Sequence, residues 1–146
     1  MKFMTESKEL FLIDSNVLVY AFEKEESVKK DKAKKLLDEC IFGTKEFAIS
    51  NQNLAEFVFA ATRKGKLDIE EAKNLVIKIA QFQGFKKINY NSNTIPSALN
   101  IMQELKASFW DSLVAATMRE NGIFNIYTEN AKDFKMPWIK AVNPFT

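Results

Sequence analysis

Histidine is absent from all 146 residues. That removes histidine general bases, Ser-His-Asp triads, Cys-His dyads and His-ligated zinc together. A single cysteine, Cys40, cannot close an internal disulfide or build a cysteine zinc site. Its setting, "KKLLDECIF", reads as a helix facing a core, so the expectation is a small buried hydrophobe. Glycine is scarce, at four residues. Gly43, Gly65, Gly84 and Gly122 are too scattered for a P-loop or a dinucleotide fingerprint. Each stands where a helical pattern ends, as C-terminal helix glycines do. No apolar run approaches the roughly 18 residues of a membrane span. The N-terminal "MKFMTESKELF" carries charges where a signal peptide needs an apolar stretch. The expectation is a cytoplasmic protein with no membrane association. Charge is also in short supply: the net value is +2 and the pI about 8.6, which neither announces nor excludes a nucleic-acid partner.

What is present suits one domain spanning residues 1–146, with 47% hydrophobic residues and 13 phenylalanines for a core or an interface. Leu10–Ile13 is a short apolar run, expected as a buried strand, with a short helix over Asn16–Phe22. Ser27–Phe42 is amphipathic, with Val28, Ala33, Leu36, Leu37 and Ile41 apolar between lysines. Glu46–Ile49 reads as a strand. A helix over Leu54–Lys64 takes Ser50 or Asn51 as its cap. Asp68 caps the next, Ile69–Phe82, with Glu70 and Glu71 in its first turn. A third strand is expected at Lys87–Tyr90, helices from about Pro96 to Lys106 and over Phe109–Asn121, a fourth strand at Phe124–Tyr127 and a weaker fifth at Trp138–Val142. Alternating short apolar strands and helices predict an α/β fold: helices on both faces of a mainly parallel sheet of four to five strands, a three-layer α/β/α sandwich. Sites in such sheets form at the carboxyl ends of the strands. Asp14 stands at that end of the first strand, and Thr128–Asp133 at that end of the fourth.

Three acids sit in unsuitable company. Asp14 interrupts "FLIDSNVLVYAF". Glu56 is the only polar residue between Leu54 and Ala61 in "NLAEFVFAA". Asp111 follows two large aromatics in "FWDSLVAATM". None has a Lys or Arg one helical turn away. Any one alone reads equally as a helix cap or a hydrogen-bonded buried carboxylate, Asp111 also as a first-turn acid. Three together point to one shared cation, because burying each charge separately is costly. The ligand set is all oxygen, which suits Mg²⁺ or Mn²⁺. "YTENAKDF" offers a further contributor among Glu129, Asn130 and Asp133, or merely a polar turn. Ser15 and Asn16 can hydrogen-bond beside Asp14, and Asn16 can equally cap a helix. Carboxylates holding one or two divalent ions suit phosphodiester hydrolysis by in-line displacement.

These segments, "LIDSNVLVYAF", "NLAEFVFAA", "FWDSLVAATM" and "YTENAKDF" with the closing "NPF", resemble in order and spacing the motifs of PIN-domain ribonucleases. The nearest branch is the VapC-like toxins of toxin–antitoxin pairs, and the resemblance covers nearly the whole chain. It implies a compact PIN-like α/β/α domain and Mg²⁺- or Mn²⁺-dependent cleavage of RNA. Asp14, Glu56 and Asp111 match the family's three acidic positions as catalytic and metal-holding residues. The fourth position falls at or near Asn130, an amide here. Asp133, three residues on, substitutes for it or supports it, with Ser15, Asn16 and Thr128 also supporting. The resemblance further implies a homodimer and an antitoxin partner.

The lysines at Lys24, Lys29, Lys30, Lys32, Lys34 and Lys35, interleaved with acids, read as a solvated helix face. Arg63, Lys64 and Lys66 are candidates for phosphate contact along an RNA. Phe57, Phe59, Phe109 and Trp110 read as core or dimer interface, with base stacking the alternative. Two rival readings stand beside the ribonuclease. A haloacid-dehalogenase-type phosphotransferase fails at Asn16, where a second aspartate belongs. A PIN-like binding or scaffold module is left open by the amide at Asn130.

Overall fold

Period-2 alternation along each strand decides which layer receives which side chain. In the computed structural model, which describes residues 9–64 and 66–146, strand β1 (Leu10–Ile13) sends Phe11 and Ile13 to one face and Leu12 to the other. Strand β2 (Glu46–Ser50) does the same with Phe47 and Ile49 against Ala48. The first face is covered by helices α1 (Ser15–Phe22), α2 (Val28–Ile41), α3 (Asn51–Arg63) and α4 (Ile69–Gln81), which bury Val17, Leu37, Phe57 and Ile79 there. The second is covered by α5 (Thr94–Leu105) and α6 (Phe109–Glu120) through Ala98, Ile101, Leu113 and Met118. Each large side chain taken fully from water contributes about 1.5–3 kcal/mol.

Strands β3 (Phe85–Ile88), β4 (Asn125–Tyr127) and β5 (Lys140–Val142) complete a five-stranded sheet of order β3-β2-β1-β4-β5, with every pairing parallel. The three-layer α/β/α expectation holds. The chain steps from β1 out to β3 and then returns to β1's other side for β4. That reversal creates a crevice at the carboxyl ends of β1 and β4, the place where such sheets bind ligands.

Several boundaries move. β3 begins two residues before the expected Lys87, because Phe85 and Ile88 are the buried positions and pair with Phe47 and Ser50. That leaves Asn89 and Tyr90 beyond the strand. α5 starts at Thr94 rather than Pro96; proline is tolerated in the first turn, where its missing N–H has no helical partner. The glycine reading holds for Gly43 and Gly122, whose φ values are +79° and +69°. It fails for Gly84, which is not in the left-handed region; a Cβ there would run into the Phe82 ring. Lys106, not glycine, adopts the left-handed position ending α5, at φ 54°. Gly65 and the "MKFMTESK" part of the N-terminal stretch lie outside the described residues. Cys40 is buried, as expected, with its thiol facing the Gly84 carbonyl at 3.4 Å. Among the described residues no helix is long and apolar enough to cross a membrane.

Candidate active site

Asp14 follows the last residue of β1, and its backbone leaves the sheet in an extended conformation to cap α1. The cap reading therefore holds for this carboxylate. Four donors converge on it. Ser15 N–H (2.8 Å) and Asn53 Nδ2 (3.2 Å) donate to Oδ1, while Thr128 Oγ1 (2.7 Å) and Asn16 Nδ2 (3.4 Å) donate to Oδ2. Thr128 is itself fully buried at the end of β4, so the crevice between β1 and β4 is what brings it to Asp14. Asn16 Oδ1 accepts from the Glu129 N–H at 3.1 Å and ties the following loop to α1.

Glu56 arrives from α3. Ser50 caps that helix, its Oγ accepting from Asn53 N–H at 2.9 Å and donating to Asn53 Oδ1 at 2.7 Å. The second bond fixes the Asn53 amide with its NH₂ outward, toward Asp14 Oδ1 and Glu56 Oε1 (3.5 Å). Asn53 is completely buried and is the direct link between the two acids. Gln52 Nε2 donates to Glu56 Oε2 at 3.4 Å and to the Trp110 carbonyl at 3.3 Å, joining α3 to the start of α6. Asp111 sits in the first turn of α6, whose N-cap Ser108 accepts from its N–H at 3.1 Å.

All three carboxyls are held above their ordinary range. Burial is the leading cause for Asp14, opposed by hydrogen bonds from Thr128 and Ser15. Burial also leads for Glu56, opposed by Gln52, with Asp14 and Asp111 adding repulsion. For Asp111 burial again leads, opposed by Ser108, with Asp14 and Asp133 adding repulsion. The acids therefore feel one another's charge. Among the described residues no Lys or Arg forms an ion pair with Asp14, Glu56, Asp111 or Asp133. Nor do any three acids there converge closely enough to form a closed ligand cluster. Like charges without a cation repel, which opposes such closure. An all-oxygen donor set with uncompensated charge fits a hard divalent ion.

The remaining expected residues divide. Asp133 is exposed on a short 3-10 helix, Ala131–Asp133, within electrostatic reach of Asp111. Asn130 turns its backbone N–H to Thr128 Oγ1 at 3.1 Å, and its side chain is exposed and makes no capping bond. Glu129 is committed elsewhere: Lys29 and the Tyr20 hydroxyl both donate to it, so it is not a free ligand. Arg63, Lys64 and Lys66 are exposed at the far end of α3, about 10 Å or more along the axis from Glu56 at 1.5 Å per residue. Lys66 faces Glu25 at 3.8 Å. Phe57 is core, but Phe59 and Trp110 are 64% and 58% exposed. Asn53 and Gln52 are missing from the sequence reading. Their spacing from Glu56, three and four residues, places them on its helix face, and that was the available signal.

Comparison with known proteins decides the family. Residues 11–136 match the PIN domain. The chain belongs to the PIN-domain family. No curated protein sequence matches this PIN domain significantly. Among solved structures, a toxin–antitoxin complex from Klebsiella pneumoniae aligns with a TM-score of 0.66 at 22% identity, covering 92% of this chain and 97% of that one. FitAcB from Neisseria gonorrhoeae gives 0.68 at 17% identity, with 92% and 98% covered. VapC20 from Mycobacterium tuberculosis, a sarcin–ricin-loop-cleaving toxin, gives 0.62 at 17%, with 82% and 91% covered. At these identities the shared property is the PIN fold.

Proposed function

We propose that this PIN domain is a metal-dependent endoribonuclease, the toxin of a toxin–antitoxin pair, in which Asp14, Glu56 and Asp111 hold Mg²⁺ or Mn²⁺. The observation that carries the reading is three mutually repelling carboxyls, Asp14 buried and Glu56 and Asp111 half-buried, without a cationic partner among the described residues. Held by Asp14, Glu56 and Asp111, such an ion would supply activation of water near neutral pH and would offset the phosphate's charge. The protein's own part is positioning. Thr128, Asn53 and the Ser15 N–H fix Asp14, Gln52 and Asn53 fix Glu56, and the α6 cap fixes Asp111. Asp133 supports the Asp111 side, and Asn16 with Asn130 braces Thr128. The toxin role draws on the named functions of the structural neighbours, and with it come a homodimer and an antitoxin partner. Arg63, Lys64 and Lys66 serve as outlying phosphate contacts.

RNA incubated with Mn²⁺ tests the chemistry. Wild-type protein should cut, EDTA should stop it, and Asp14→Asn should be inactive while keeping its circular dichroism. Equal cutting by both proteins would refute the assignment. Expression should slow growth and a co-expressed antitoxin should restore it. Harmless expression of an active enzyme would point instead to RNA processing.

A further inference from the structure

A groove of about 780 Å³ opens beside Glu56 and Ser15. α3 and α6 build it. On α3, residues 52, 55, 56, 59 and 60 recur at helical spacing and share one face, so Phe59 follows Glu56 by one turn. On α6, Trp110 immediately precedes Asp111. Both rings are largely exposed, yet both are braced: Trp110 packs edge-on to Phe109 at 5.0 Å, and the Arg63 guanidinium lies 4.7 Å from the Phe59 ring centre. Among the described residues no Lys or Arg lines the groove, and Glu56 is the one charged residue that does. A phosphate is therefore the wrong occupant and a neutral, donor-bearing aromatic is the complementary one. The polar lining is of the matching kind. Asn51, Asn89 and the Tyr90 hydroxyl make no side-chain hydrogen bonds within the described residues. Gln52 is 8% exposed, and its Oε1 has no partner there. Its NH₂ faces two acceptors, which fixes Oε1 as the unpaired end.

We propose that this groove is a nucleobase subsite: Phe59 and Trp110 stack one base of a single-stranded RNA beside the scissile phosphate, and Asn51, Asn89, Tyr90 and Gln52 meet its polar edge. The proposal rests on the ribonuclease reading for its substrate. Arg63, beside the aromatic wall, lies where the stacked nucleotide's own phosphate can be met outside the groove.

The test uses short single-stranded oligoribonucleotides carrying 2-aminopurine at successive positions, in EDTA so that nothing is cut. Stacking quenches the probe. Wild type should quench one position most, and Phe59→Ala and Trp110→Ala should each bind about 5- to 100-fold more weakly. Trp110→Phe should recover most of the affinity. With Mn²⁺, the Ala variants should raise KM far more than they lower kcat. Unchanged quenching in both Ala variants, or no quenching by wild type, overturns the subsite. So does a shift from dimer to monomer by light scattering with RNA binding intact, which would make the groove a protein interface. Asp14→Asn, run in parallel, separates the two readings. If it cuts like wild type while the stacking results hold, the catalytic assignment fails and the subsite stands.

Discussion

Asp14 does two jobs with one side chain. It caps α1 through Oδ1 and anchors the site through both oxygens. It stood out in the sequence because a lone acid in an apolar dozen demands a reason. Asn53 was not, because an amide at a helix start has the ordinary explanation of a cap. The structure gives that cap to Ser50 and frees Asn53 to bridge Asp14 and Glu56. Asn53→Ala should therefore weaken Mn²⁺ binding by about 10- to 100-fold. It should also cost about 1–3 kcal/mol of stability, since Ser50 and Asp14 lose a buried partner. Calorimetric Mn²⁺ titration and urea denaturation read the two effects. A stability loss with unchanged metal affinity would make Asn53 purely structural. Glu129 taught the reverse lesson: its place in the acidic loop suggested a ligand, but Lys29, 100 residues earlier in the chain, claims it. Only the tertiary fold brings them together.

At the scale of elements, α3 organises the site. One helix face carries Gln52, Asn53 and Glu56 at the end nearest Asp14 and continues to Phe59 along the groove. Its start is set by a single serine. Ser50→Ala should cost about 1 kcal/mol through the lost cap. It should also lower Mn²⁺ affinity, because the Asn53 amide loses the bond that orients it. Ser50→Thr, which keeps the hydroxyl, should restore both. Equal behaviour of Ala and Thr variants would argue against the cap. The existence and order of every strand and α-helix among the described residues were readable from the sequence pattern, while the 3-10 turn Ala131–Asp133 has no apolar period to reveal it. The exact edges of β3 and α5 were not, because the buried register of a sheet partner and the tolerance of proline in a first turn are settled between elements rather than within them.

For the molecule as a whole, the strand order places the reversal of the chain at β1 and β4, and three distant segments deliver their acids there. Concentrated acids have a price in stability without a cation. In metal-free protein the folded pKa values of Asp14, Glu56 and Asp111 lie above the ordinary 3.8, 4.5 and 3.8. Between the ordinary and the raised values the native state binds more protons than the unfolded chain. Stability therefore falls as pH rises through that window, and the loss is complete above the folded values. In EDTA, wild type should lose stability relative to Asp14→Asn as pH rises from about 4 toward 7. Parallel melting curves would contradict this. Mn²⁺ should raise the wild-type melting temperature at neutral pH by mass action.

The central claim is that the acids share one ion. Its most direct test is a double-mutant cycle on Mn²⁺ affinity, by calorimetry, with wild type, Asp14→Asn, Asp111→Asn and the double variant. A shared site predicts that each single change weakens binding by more than about 10-fold and that the double change costs clearly less than the two combined. Unchanged affinity in either single variant, or losses that simply add, would contradict it.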